Sequence, residues 1–215
     1  RLSSELWNDC SIKLVNIDRT FKNNFEQPLK KATLKASKRD PSMARPAEFD
    51  RDQVLDRAMQ AFWDEGYCAT SMVTLTRTTE LNPGSLYAAF KSKEGLFLAT
   101  LDHYGKRSAE EIGHALSASS SPLEGVRSFL GRIAETAAEP DARRSCFLVN
   151  TILEVARHNP TVRERISYYL ELIEGLFRQS LESARMHGEL SADKDPAALA
   201  AFIMTSIWGL RVLLA

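Results

Sequence analysis

The 215-residue chain has few cysteines, and the three it has, Cys10, Cys68 and Cys146, are widely spaced and odd in number. It has no CxxC pair and no Cys/His cluster at metal-ligand spacing, which argues against a disulfide framework and a zinc site. No cofactor motif is present, and a reducing, cytoplasmic setting is expected. Net charge is missing too: 28 Lys/Arg balance 28 Asp/Glu, so the bulk charge does not point to nucleic acid. The first residues lack a signal-peptide layout, because Leu2–Leu6 is too short and too polar for an apolar core segment. From Phe49 onward no run alternates in the manner of a strand. No nucleophile–base pair, paired carboxylates or phosphate loop appears, so an enzyme is not expected.

What is present is uneven. Residues 1–42 hold nine Lys/Arg against five Asp/Glu, leaving nineteen against twenty-three for the remainder. This stretch has weak periodicity and ends in the Lys-rich KKATLKASKRDPS. It reads as a poorly ordered basic extension with at most a short helix around Ile12–Phe25. A single long apolar run, Ala197–Ala215, approaches the length of a bilayer span. Arg211, Thr205, Ser206 and Gly209 within it argue against lipid. A helix buried on most sides by protein is expected instead, with no membrane partner.

The rest reads as helix after helix, an all-α chain. Asp50 and Gln53 make a capping box, with Phe49 and Val54 as the hydrophobic staple beside it. Val54, Leu55, Ala58, Met59 and Phe62 then share a face, and Gly66 stops the helix. A short second helix starts after Ser71 and turns Met72, Leu75 and Thr78 inward. Asn82-Pro83 caps a brief third helix running to about Phe90. Ser92 opens a long fourth helix carrying Leu96, Phe97, Leu101 and Tyr104. Further helices are predicted near 122–138, 144–157, 160–187 and 196–214. In the third of these, Val162, Ile166, Tyr169, Leu170, Ile173, Phe177, Leu181 and Ala184 share one face. The division is a basic extension over 1–42, a three-helix unit over 43–91 and a helical bundle over 92–215.

Two short helices joined by a tight turn are what a DNA-binding helix-turn-helix requires. Its reading helix must be short enough for the major groove and polar at its start. Asn82, Pro83, Gly84 and Ser85 form such a start, where small residues permit close approach and Ser85 can bond base edges or phosphate. Tyr87 offers a hydroxyl one turn on, and Lys93 sits in the first turn of the next helix beside free backbone N–H groups.

Over about Phe49–Phe97, as FDRDQVLDRAMQAFWDEGYCATSM and LNPGSLYAAFKSKEGLF, the chain resembles the TetR family of repressors. The resemblance implies a three-helix DNA-binding domain, a helical ligand-binding body and a homodimer reading a palindromic double-stranded operator. It places Ser85, Tyr87 and Lys93 on DNA, with Thr70 and Ser71 near the phosphates. It further implies a body pocket for a small-molecule inducer; Tyr104, Cys146, Phe147, Tyr168, Phe177, Met204 and Trp208 are read as its lining or as ordinary core. Ser145–Thr151 is similar to the start of a body helix in a branch that includes repressors of electrophile-detoxifying reductases.

The chain departs from that pattern at two places. Glu80 stands where the turn usually carries glycine, at a backbone cost on the order of 1 kcal/mol, and Thr74 replaces an acidic capping partner. The family also has one more helix after the segment matched by Gly209–Leu214. These departures support an alternative, a helical protein-interaction module that has lost operator binding. Other residues keep competing readings. Tyr87 is a phosphate contact or a packed aromatic, and the run Lys30–Arg39 is a solvated tail or a minor-groove arm. Cys146 is a small buried hydrophobe or, with Arg143 and Arg144 before it, a sensing thiolate. His103, His114, His158 and His187 have no ligand spacing and read as surface or capping residues.

Overall fold

A computed structural model of the chain describes residues 49–137 and 146–214. The predicted extension over 1–42, the helix at Ile12–Phe25 and the Arg143–Arg144 pair lie outside the described residues. Among the described residues eight α-helices follow one another: α1 (Arg51–Glu65), α2 (Met72–Thr79), α3 (Pro83–Phe90), α4 (Lys93–Ser117), α5 (Pro122–Ala137), α6 (Phe147–Thr151), α7 (Pro160–Met186) and α8 (Pro196–Leu214). Among the described residues there is no strand, and Phe49–Ala215 packs as one unit.

The helix starts lie where local chemistry puts them. Asp50 Oδ1 accepts from the amides of Asp52 and Gln53 at 3.0 and 3.1 Å. Ser71, Asn82, Ser92 and Asn159 accept in the same way for α2, α3, α4 and α7. Each satisfies amides that the helix itself leaves without partners. Phe49 packs on the core that holds Val54.

Two differences from the sequence pattern are local. Thr79, not Thr78, is the buried threonine of α2; its hydroxyl donates to the Leu75 carbonyl at 2.6 Å and so is satisfied inside. The helix predicted over 144–157 is α6 followed by a π-helical segment, Ile152–Ala156. A π segment inserts one extra residue per turn, which re-aims the side chains that follow.

Tertiary packing is organised around α4. Its first half shares a core with α1 through Phe62, Phe97 and Leu101, and with α6 through Phe147. Phe97 lies 4.9 Å from Phe62, 4.5 Å from Tyr67 and 5.9 Å from Phe147, ring centre to ring centre. Its second half joins a separate core of Val126, Ile173, Phe177, Leu181 and Met204. Polar contacts tie the same helices. His103 and Arg107 of α4 meet Asp56 of α1 at 3.1 and 2.9 Å. Asp102 holds both Arg165 and, at 2.9 Å, the Tyr169 hydroxyl of α7. Burial, reinforced by Asp102, holds the Tyr169 phenol well above its usual range.

The last helix corrects an expectation. α8 is long and apolar enough to cross a membrane by length and composition, but it is not buried on most sides. Pro196, Ala200, Met204 and Ile207 dock on the second core. The opposite face is open, with Phe202 70% and Leu213 85% exposed. A helix of nearly uniform hydropathy carries no signal saying which stripe meets its neighbour, so only packing could decide this.

Candidate nucleic-acid interface

The N-terminal tip of α3 is built from short-range rules. Asn82 Oδ1 accepts from the Ser85 amide at 2.8 Å, and Pro83 occupies the first helical position, where no amide is needed. Leu86 and Phe90 are buried and anchor the inner face on α1 and α4. The outer face therefore has a defined direction. Asn82, Pro83 and Gly84 are exposed, Ser85 is half-buried and Tyr87 is 48% exposed. The aromatic ring of Tyr87 is not core.

Lys93 opens α4 beside this tip. Its ammonium donates to the Cys68 carbonyl at 3.3 Å and lies 4.7 Å from the centre of the Tyr67 ring. An ammonium has three protons, so this tether leaves donors for a second acceptor. Ser71 is exposed; its hydroxyl caps α2 through the Thr74 amide at 3.0 Å and pairs with the Thr74 hydroxyl at 3.0 Å. Thr74 thus serves where an acidic capping partner was missed.

Thr70 is a correction. It is 0% exposed, and its hydroxyl is spent on the carbonyls of Gly66 at 2.6 Å and Ala61 at 3.3 Å. It seats the start of α2 from inside and its side chain does not face outward. Two exposed cations that the sequence reading did not single out, Lys91 and Arg77, lie at the end of α3 and on α2. Lys91 ends α3 with φ +71°, exposed, its ammonium on the Ala88 carbonyl at 3.0 Å. Arg77 lies exposed on α2. The run Phe90-Lys91-Ser92-Lys93 was the available signal, since it brackets the α3–α4 corner with cations.

Glu80 adopts the left-handed geometry expected of a glycine position, φ 59° and ψ 20°. Its carboxylate pairs with Arg57 at 2.7 Å, so the turn keeps its shape despite the side chain. In Glu80→Gly, relief of about 1 kcal/mol in the backbone opposes loss of an exposed pair contributing roughly 0–1 kcal/mol. Urea unfolding should therefore show a net change below about 1 kcal/mol. A loss above about 2 kcal/mol would mean that the ion pair, not the backbone, governs the turn.

The seven residues expected around one body pocket do not share one site. Tyr104, Cys146 and Phe147 come together beside Trp63, with Trp63–Tyr104 and Trp63–Phe147 at 5.6 Å and Tyr104–Phe147 at 5.7 Å. The Tyr104 hydroxyl points at Cys146 Sγ, 3.7 Å away. Burial first, then Cys146, raises the Tyr104 phenol above its usual range, while Arg211 of α8 acts in the opposite direction. Trp63 Nε1 is buried there without a hydrogen-bond partner. Phe177 instead packs on Phe129 at 5.4 Å in the second core. Met204 and Trp208 line a separate groove of about 220 Å3 between α7 and α8. Tyr168 is 52% exposed. These side chains diverge because α4 and the start of α6 carry Tyr104, Cys146 and Phe147 to the first core, whereas Phe177, Met204 and Trp208 of α7 and α8 pack on the second. Among the described residues no group of His, Cys, Asp and Glu could hold a metal ion.

Comparison with known proteins matches both halves of the chain. Residues 54–100 match the bacterial regulatory proteins, tetR family, and residues 122–214 match the tetracyclin repressor-like C-terminal domain. The HTH-type transcriptional repressor ComR of Escherichia coli is 31% identical over 172 residues, 80% of this chain and 82% of that protein. A cysteine-substituted form of the TetR family regulator CifR, solved with 26-bp double-strand operator DNA, is 36% identical with a TM-score of 0.69. That match covers 79% of this chain and 89% of CifR. Reduced NemR of E. coli, 20% identical with a TM-score of 0.70 over 76% of this chain and 85% of its own, shares the fold.

Proposed function

From the premise that this chain belongs to the TetR family and is a DNA-binding transcriptional regulator, we propose that it is a repressor released from operator DNA by a small molecule or an electrophile. The observation that carries this reading is the outward tip of α3: Asn82, Pro83, Gly84 and Tyr87 face solvent and Ser85 is half-buried, while Leu86 and Phe90 anchor the helix in the core. Each protomer lays α3 in a major groove, with Ser85 toward base edges and Tyr87 and Lys93 on phosphates. Ser71, Asn82, Pro83 and Gly84 border the same surface. Two copies pair to read a palindrome, and the exposed stripe of Phe202 and Leu213 on α8 supports that pairing.

The signal enters at Tyr104, Cys146 and Phe147. The thiol faces a phenol whose ring packs on Trp63 and Phe147, so an adduct on Sγ or an apolar guest beside Trp63 would displace the start of α6. α4 carries Tyr104 and begins at Lys93, so the displacement moves the head, the three-helix unit of α1–α3, and selects one of two arrangements.

The test is selection of bound duplexes from a random pool, with and without N-ethylmaleimide treatment. A palindromic sequence should be enriched by the untreated protein and lost after alkylation, with Cys146→Ser resisting the loss. On the selected duplex, Tyr87→Phe and Lys93→Ala should weaken binding to all sequences. Lys93→Ala should also lower the salt slope by about one, and Ser85→Ala should change sequence preference. Enrichment of no duplex, or wild-type binding by the Tyr87 and Lys93 variants, would count against the reading.

A further inference from the structure

The loop between α1 and α2 is held by a side chain 86 residues beyond Cys68 in the sequence. Glu154, in the π segment that follows α6, accepts from the amides of Tyr67 at 3.1 Å and Cys68 at 3.0 Å, one with each carboxylate oxygen. Gly66 makes room for it: a Cβ there would lie 2.9 Å from Glu154 Oε1, at a backbone φ of +80° that disfavours side chains in any case. The π geometry matters as well, because the extra residue in the turn redirects position 154 toward the head.

The loop so held carries two pieces of the DNA-binding surface. The Cys68 carbonyl and the Tyr67 ring tether the ammonium of Lys93. Gly66 accepts from Thr70, the residue that seats the start of α2. A few residues beyond Glu154, Asn159 Nδ2 donates to Glu94 Oε1 at 2.7 Å, fixing the helix start next to Lys93 from its other side. The opposite end of the same stretch is Phe147, packed on Trp63, Phe97 and Tyr104. One short segment therefore spans from the aromatic cluster to the α1–α2 loop without passing through α4.

We propose that Glu154 is a positioning residue for operator binding: its carboxylate clasps the amides of Tyr67 and Cys68 and so holds Lys93 and the start of α2 in the DNA-binding arrangement. This rests on the proposed function and adds a route by which α6 reaches the head. Two backbone donors on one anion are charge-assisted bonds, stronger than neutral ones. Glu154 is itself exposed, so its removal leaves no buried hole and folding survives.

The experiment compares full-length wild type, E154A and E154Q on the duplex that wild type selects, together with thermal midpoints and amide hydrogen exchange. E154A should weaken operator binding roughly ten-fold and speed exchange at Tyr67 and Cys68 alone, with its thermal midpoint unchanged. E154Q, which keeps an acceptor oxygen but no charge, should fall between. If wild type binds and E154A binds equally well, the clasp is overturned while the regulator reading stands. Faster exchange throughout with a lowered midpoint would overturn positioning in favour of a merely structural role. A wild type that selects no duplex overturns the regulator reading, and the clasp with it.

Discussion

Gly95→Ala is expected to weaken operator binding on the order of a hundred-fold, because it dislocates the reading helix rather than any DNA contact. Gly95 lies in the first turn of α4, where its amide is capped by Ser92 Oγ at 2.9 Å. A Cβ at this position would lie 2.1 Å from the carbonyl oxygen of Phe90, the last residue of α3. Both partners are backbone, so no side-chain rotation relieves the overlap. Either α4 begins differently or the end of α3 withdraws, and Leu86 and Phe90 then lose their seats in the core. Overpacking of this kind costs about 1–3 kcal/mol. Alanine is the better helix former, so propensity alone would predict a gain. Gel shifts on the selected duplex should show the loss, with far-UV circular dichroism reporting the helices retained. Undiminished binding would mean that the α3–α4 corner yields easily and does not set the tilt of the reading helix.

Phe97→Ala is expected to be the most destabilising single truncation, by about 3–5 kcal/mol. The ring is 1% exposed and touches Phe62 and Tyr67 on the head side and Phe147 on the body side. Such a loss is a large share of the roughly 5–15 kcal/mol that holds a domain together. It should lower the thermal midpoint by roughly 10 °C or more. Because Phe97 bridges the two parts, the head should also begin to melt ahead of the body, seen as separated transitions of Trp63 fluorescence and ellipticity. A single transition shifted by only about 2 °C would show that the aromatic cluster repacks around the void.

The helix-turn-helix was legible because its instructions are local. Asp50, Ser71, Asn82 and Ser92 cap helices through bonds spanning two or three residues, and the alternation of Leu86, Tyr87 and Phe90 separates an inner from an outer face within one turn. The buried stripe of α7 was legible for the same reason: from Val162 to Ala184 it repeats at helical spacing, and only Leu170 of the predicted face is half-buried. Glu80 shows a backbone state recoverable from a residue's place between two helices, even where the usual glycine is absent.

The body's candidate site was legible in part. Tyr104, Cys146 and Phe147 meet, whereas Phe177, Met204, Trp208 and Tyr168 lie elsewhere. Aromatic and sulfur-bearing residues look alike in a sequence whether they line a cleft or fill a core. Trp63, on a head helix, was not a candidate until α6 was seen to pack against it. The inward turn of Thr70 was hidden in the same way, since a hydroxyl near a helix start caps, contacts or packs according to what the preceding loop presents.

The amino-acid order alone determined the succession of helices from Phe49 onward and the polar start of the short α3, since caps, breakers and apolar periodicity act over one or two turns and need no distant partner. Tertiary structure alone decided which stripe of α8 is covered, which aromatic side chains share a cluster, and that Glu154 reaches across 86 residues to the Cys68 amide. Those outcomes depend on how long rods pack in three dimensions and on a single π turn that redirects one side chain. Neither leaves a periodic trace along the chain.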